Sequence, residues 1–359
     1  MEAALTSDTE RLPGFPPRFV QPPLPADLRG LPTRPNASQP FELNCRALPI
    51  SNPAFDFSTV DMYCTESTLD ALRKLTANHR NQIGIVRYHL YLVHDTLVVK
   101  RWNMATEDLA KGPKSRFQEL QKFKAACTTQ EGGLPADSRY FQTVQYRLGD
   151  LSCVVSGQRD AYIAGSDSSI ETSLGHSDEE GLCQTNLGVD VVASGKIISP
   201  DQLVVVGELA ERAPGKQHKN ARDRKRKVCA KAWFSGVNTL IWGRLSSDSG
   251  RWIDVSHQKV RGTASASVQK HAQQLASLIS ELKEAVRLSK NGVAVMTANR
   301  YEGPDLEVWE PVFDANALEA IPEHLHVPRS CFPEDFVERF WVENRSEKQA
   351  QQPELPVPV

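Results

Sequence analysis

Two apolar runs decide how the chain is read: Cys153-Val154-Val155-Ser156-Gly157-Gln158-Arg159-Asp160-Ala161-Tyr162 and Leu203-Val204-Val205-Val206-Gly207-Glu208-Leu209-Ala210. Both are rich in β-branched residues, which suit a half-buried pleated surface, so each predicts a strand. Each carries a carboxylate near its end, Asp160 in the first and Glu208 in the second. Neighbouring strands of one sheet can bring two such groups close enough to hold a hard divalent cation, Mg²⁺ or Mn²⁺, through oxygen ligands. The expectation is a single α+β domain over 56–345, with flanking helices on a mixed sheet that contains both carboxylate strands.

Working outward, residues 65–79 have a helical face of Leu69, Leu72 and Leu75, and Ser67 and Asp70 have capping-box spacing. Residues 83–102 alternate apolar and polar around a His94-Asp95 turn, the pattern of a β-hairpin. Helical spacing returns over 114–127, and 140–155 reads as strand broken at Gly149-Asp150. Residues 222–235 read as a helix with Val228, Cys229, Ala232 and Trp233 inward, followed by a strand over 238–245. The clearest helix is 268–290, where Val268, Ala272, Leu275, Ile279, Leu282 and Val286 form one stripe and Asn291-Gly292 ends it. A hairpin over 293–310 and a helix over 333–344 complete the order.

The flanks differ in kind. Residues 1–55 contain 11 prolines and read as an extended arm, either unstructured or strapped to the domain by Phe15, Phe19 and Phe41. Such an arm could also dock a protein partner. Residues 165–188 are rich in Ser, Gly and acids and hold no Lys or Arg, so they read as a disordered acidic insertion. Residues 346–359 read as a flexible tail. Arg224, Lys225, Arg226 and Lys227 end a basic run that is expected either to contact RNA or to act as a nuclear localisation signal.

The totals exclude several classes. A net charge of −2 on 359 residues gives no general attraction to nucleic acid, so RNA binding would have to be local. Seven cysteines without a CxxC pair argue against a disulfide framework or a zinc site and suit a reducing compartment. Without an apolar run of spanning length or a signal-like N-terminus, an intracellular protein, nuclear or cytoplasmic, is expected rather than a secreted or membrane one. Nothing in the sequence fixes the oligomeric state.

With this order laid out, the chain resembles the DXO-like family of RNA 5′-end decapping and exonuclease proteins, which have a PD-(D/E)xK-like core. It is most similar to a divergent fungal branch whose members often carry the label geranylgeranyl pyrophosphate synthetase. Residues 152–162 resemble the family's strand ending in Gly-Glu-Val-Asp, and 206–212 its Glu-apolar-Lys strand. Residues 230–244, Ala-Lys-Ala-Trp-Phe-Ser-Gly-Val-Asn-Thr-Leu-Ile-Trp-Gly-Arg, resemble the helix and strand that follow. Phe123-Lys124 falls where the family has Phe-Glu. The synthetase label lacks support in the chemistry, because the sequence has no adjacent Asp-Asp pair to bind Mg²⁺-diphosphate.

The departures carry the functional expectation. Against the family pattern, Lys124 stands for a glutamate, Gln158 for the first acid of Glu-Val-Asp, and Ala210 for the active-site lysine. Asp160 and Glu208 remain as metal-ligand candidates, too few carboxylates to offset two divalent cations. The preferred reading makes them strand-end carboxylates with local hydrogen bonds. The chain is then a degenerate, non-catalytic domain that binds RNA or a protein partner. The alternatives are a residual Mg²⁺- or Mn²⁺-dependent RNA 5′-end hydrolase, and an accessory scaffold of a biosynthetic or regulatory assembly.

Overall fold

The computed structural model describes residues 9–28, 54–76, 85–102, 114–131, 138–164, 182–184, 190–195, 201–210, 232–246, 251–260, 266–299, 306–313 and 326–343. It also describes positions 44–45, 47–48, 51–52, 134, 198–199, 225, 228–229 and 249. The chain divides into two compact units. One comprises Met1–Ser51, Ala105–Val144 and Ser156–Val268; the other comprises Asn52–Met104, Gln145–Val155 and Gln269–Val359.

In chain order the strands are β1 (Thr9–Gly14), β2 (Arg18–Phe19), β3 (Met62–Thr65), β4 (Ile85–Val93), β5 (Thr96–Arg101), β6 (Thr128–Thr129), β7 (Tyr140–Leu148) and β8 (Leu151–Arg159). They continue as β9 (Ala161–Tyr162), β10 (Leu182–Gln184), β11 (Asp190–Gly195), β12 (Leu203–Ala210), β13 (Thr239–Leu245), β14 (Trp252–Lys259), β15 (Val293–Asn299) and β16 (Leu306–Trp309). The helices are α1 (Glu66–Thr76), α2 (Lys114–Ala126), α3 (Ala266–Leu288) and α4 (Glu334–Val337), the last running into a π-helical turn at Glu338–Glu343.

The first unit holds a six-stranded sheet in the order β14-β13-β12-β9-β2-β6 and a three-stranded sheet β1-β11-β10. The larger sheet is mixed: β12 runs parallel to β13 and antiparallel to β9. Its core joins Phe123 from α2 and Cys127 just after it to Val204, Val206, Ile241 and Trp252 from the sheet. Phe123 stacks on Trp252 with ring centroids 3.9 Å apart. This contact needs Gly243 beneath it, where a Cβ would lie 2.6 Å from Trp252 and closer still to the Phe123 ring. A second cluster packs Val228, Cys229 and Trp233 with Ala232, Leu240 and Trp242, as the inward face expected for 222–235 requires.

The second unit contains the sheet order β16-β15-β4-β5-β3-β8-β7, although β7 and β8 also run into the first unit. The expected hairpins are present: β4 pairs antiparallel with β5 around His94, whose φ is 53°, and β15 with β16. In α3, Leu275, Ile279, Leu282 and Val286 are buried, as the stripe predicts. Lys283 on the same helix reaches Asp61 at 2.9 Å and Asp95 at 3.0 Å. Near the C-terminus Phe336, Phe340 and Trp341 surround Phe57. The helix expected over 333–344 widens into π geometry there, which lets the consecutive residues Phe340 and Trp341 both face inward.

Several expectations are corrected. The strand read through Asp160 is not continuous. β8 joins the seven-stranded sheet and β9 the six-stranded one, so β12 shares a sheet with β9 and not with β8. Helix α1 is capped by Thr65, whose Oγ1 accepts from Thr68 N–H at 3.4 Å, and not by Ser67. Asp70 instead pairs with Arg73 and Lys74. Strand β10 falls inside the stretch read as a disordered insertion.

In the proline-rich segment, β2 pairs with β6 and β9. Ala26 exchanges backbone hydrogen bonds with Trp252. Phe19, Leu24 and Leu28 lie against the core, which favours the strap reading for 18–28. Phe41, Arg224, Arg226, Lys227 and the 346–359 tail lie outside the described residues. No helix among the described residues is long and apolar enough to cross a membrane.

Candidate functional site

Asp160 occupies the break between β8 and β9. Its backbone N–H donates to Val204 O at 3.1 Å, and its Oδ2 accepts from Val206 N–H at 2.9 Å. The side chain thus takes up a ladder position of β12 that a continuing β8 would have filled, and the chain crosses to the second sheet.

The second oxygen is also taken. Lys124 Nζ lies 2.8 Å from Asp160 Oδ1, with side-chain exposures of 17% and 5%. The helix register that delivers Lys124 is set by its neighbour: Phe123 is locked between Gly243 and Trp252, leaving Lys124 to face the sheet crossing. A buried carboxylate needs a compensating charge, and a tethered ammonium supplies it.

The remaining residues named from the sequence divide clearly. Gln158 is half-buried on β8, and its carbonyl accepts from Arg159 Nη1 at 3.2 Å. Glu208 and Ala210 lie on β12 opposite Gly243 and Leu245 of β13; their side chains lie outside the described set. Lys225 is exposed and is the one described residue of the basic run 224–227.

Arg159 is the residue that sequence reasoning passes over. It is 1% exposed, and its guanidinium donates to Gln142 Oε1 at 3.0 Å and Ser235 O at 2.6 Å. An arginine inside an apolar β-run was the available signal, since a strand interior admits a charge only where acceptors await it. Tyr162 adds a second polar contact, donating to Glu131 Oε2 at 2.9 Å.

Of the two metal-ligand candidates, Asp160 alone has a described side chain, and both of its oxygens are engaged. One oxygen of Asp160 serves an ammonium and the other a backbone N–H, and the described residues contain no group of three His, Cys, Asp or Glu side chains able to share a cation. Hard cations need several oxygen ligands at once.

A family model matches residues 8–328. The chain belongs to the family described as "Domain of unknown function (DUF8563)". Among solved structures, S. pombe Rai1 is similar at 13% identity and TM-score 0.56, covering 84% of this chain and 88% of that one. Candida albicans Rai1 in complex with pU5-Mn2+ is similar at 11% identity and TM-score 0.57, over 90% and 88%. K. lactis Dxo1 in complex with manganese follows at 8% identity and TM-score 0.50, over 79% and 80%. The fold of this DUF8563 chain is therefore DXO-like, α+β with mixed sheets, as the motifs over 152–162, 206–212 and 230–244 imply. No curated protein matches it in sequence.

Proposed function

We propose that this DUF8563 chain is a degenerate DXO-like protein that binds RNA and does not hydrolyse it through a metal. The observation that carries this reading is the Lys124–Asp160 ion pair. A metal could use Asp160 only by displacing an ammonium held in place by its own helix, and beyond Glu208 the positions of Gln158 and Ala210 offer it no carboxylate. The absence of a lysine at 210 further removes a positive group of the kind that stabilises developing charge on a phosphate, a loss on the order of 10²–10³ in rate for one such donor.

The RNA half of the reading is supported by the shared fold with Candida albicans Rai1, whose structure holds pU5. Arg224, Lys225, Arg226 and Lys227 supply a local basic segment on a chain whose net charge is −2. Protein docking through residues 1–55 is less favoured, because Phe19, Leu24 and Leu28 face the chain's own core.

The test is fluorescence anisotropy of a labelled 5′-monophosphorylated RNA pentamer with the full chain, titrated in chloride and with EDTA. Binding that weakens steeply with salt and ignores EDTA is expected. Absence of binding at low salt would sink the RNA reading.

A further inference from the structure

A different part of the molecule carries buried polar groups that the proposed RNA role does not use. Arg87, His89 and Tyr91 alternate along β4 and so share one face of the seven-stranded sheet. His89 is 4% exposed and Tyr91 2%. Neither His89 Nε2 nor the Tyr91 hydroxyl has a hydrogen-bond partner among the described residues. Their rings meet edge to face, with centroids 6.4 Å apart. Most buried polar atoms are satisfied, so two adjacent exceptions on one strand face call for a ligand that completes them.

The surroundings select its charge. Lys100 lies directly across from His89 in the β4–β5 register, and Val295 flanks it on the other side. Arg87, two residues along, sits 4.9 Å from the ring centroid of Trp102. Burial first, and then the charges of Arg87 and Lys100, push His89 down to about 4. Burial likewise pushes the Tyr91 hydroxyl far up, with Cys331 acting in the same direction and Arg87 against it. Both groups are therefore neutral at pH 7, and the charges among the described residues that act on the imidazole, Arg87 and Lys100, are positive. Glu307, one strand beyond β15, is turned to Thr297. A water would satisfy the two atoms but gain little from this field, whereas an oxyanion gains both hydrogen bonds and charge.

We infer that this face of β4 forms an anion site that takes a phosphate group, with Tyr91 Oη–H and His89 Nε2–H donating to its oxygens and Arg87 and Lys100 supplying the charge. Free phosphate and a phosphate borne on a nucleotide share this chemistry. The inference stands apart from the RNA reading and from Asp160.

The test uses the full chain in phosphate- and sulfate-free buffer. Thermal melts are recorded with rising inorganic phosphate, AMP or adenosine, with chloride holding ionic strength constant. Wild type should gain Tm with phosphate concentration, as a ligand of the folded state requires. Tyr91→Phe should shift the phosphate needed for the same gain upward by about tenfold, the loss of one hydrogen bond to a charged group. Without phosphate, Tyr91→Phe should melt at or above wild type, because the hydroxyl it removes has no partner.

A gain with AMP but not with inorganic phosphate would keep the site and assign it to nucleotide-borne phosphate. An equal gain with adenosine would overturn the anion assignment. So would no gain over chloride, an unchanged response in Tyr91→Phe, or a clear loss of Tm in that variant without phosphate.

Discussion

Lys124 Nζ stands 2.8 Å from Asp160 Oδ1 at the residue where the chain leaves one sheet for another. The pair links α2, set by Phe123 on Trp252, to the crossing that lets β9 pair with β12. Removing the ammonium leaves a carboxylate that is 5% exposed without its counter-charge. Lys124→Met is expected to cost about 3 kcal/mol, and Lys124→Met with Asp160→Asn appreciably less than the two single changes combined. Urea denaturation of the four proteins of this cycle measures the coupling; additive costs would separate the two groups.

The same helix register depends on close approach at Gly243. A methyl there would strike Trp252 at 2.6 Å and press on Phe123. Gly243→Ala is expected to destabilise by about 1–3 kcal/mol through overpacking. Ring-stacking signals in near-ultraviolet circular dichroism should weaken with it. A variant as stable as wild type would mean that Phe123 moves aside freely.

What was legible follows from period and length. The β4–β5 hairpin and the α3 stripe are long enough for alternation or helical spacing to declare itself. Strands β2, β6 and β9 have two residues each and cannot express a period. The turn at Asp160 carries no glycine or proline, so the sequence signals a continuous strand; only the hydrogen bonds to Val204 and Val206 reveal the crossing. Lys124 and Asp160 lie 36 residues apart, and no local pattern joins them. Their juxtaposition was implied by family resemblance. His89 and Tyr91 read simply as strand residues, because an unsatisfied buried atom has no signature in sequence.

Acid stability offers a third check. Burial would raise the carboxyl of Asp70, but the charges and hydrogen bonds of Lys74 and Arg73 outweigh it and hold the group below its ordinary 3.8. Its folded value is thus depressed. The contribution is fully present above the unfolded value near 3.8 and is lost as pH falls through the lower folded value. Wild type should lose stability relative to Asp70→Asn across that acidic window, followed by denaturant midpoints from pH 5 downward. Parallel profiles would remove Asp70 from the acid response.

The basic run gives a fourth. Replacing Arg224, Lys225, Arg226 and Lys227 with alanine is expected to weaken RNA binding at low salt and to flatten its salt dependence, each lost phosphate contact reducing the slope by about one. Nuclear accumulation of a fluorescent fusion, compared in the same variant, tests the localisation role. Unchanged affinity and unchanged distribution would leave these residues as a solvated face.

The central claim is that a tethered ammonium has closed the carboxylate at Asp160 to metal chemistry. Its most direct test is turnover of 5′-capped and 5′-triphosphorylated RNA with Mn²⁺ or Mg²⁺, by wild type, by Asp160→Ala, and by the combined Lys124→Glu, Gln158→Glu and Ala210→Lys variant. The account predicts no metal-dependent turnover by wild type, with Asp160→Ala indistinguishable from it; activity confined to the triple variant would add that the loss is reversible. Robust wild-type cleavage that disappears in Asp160→Ala would contradict it.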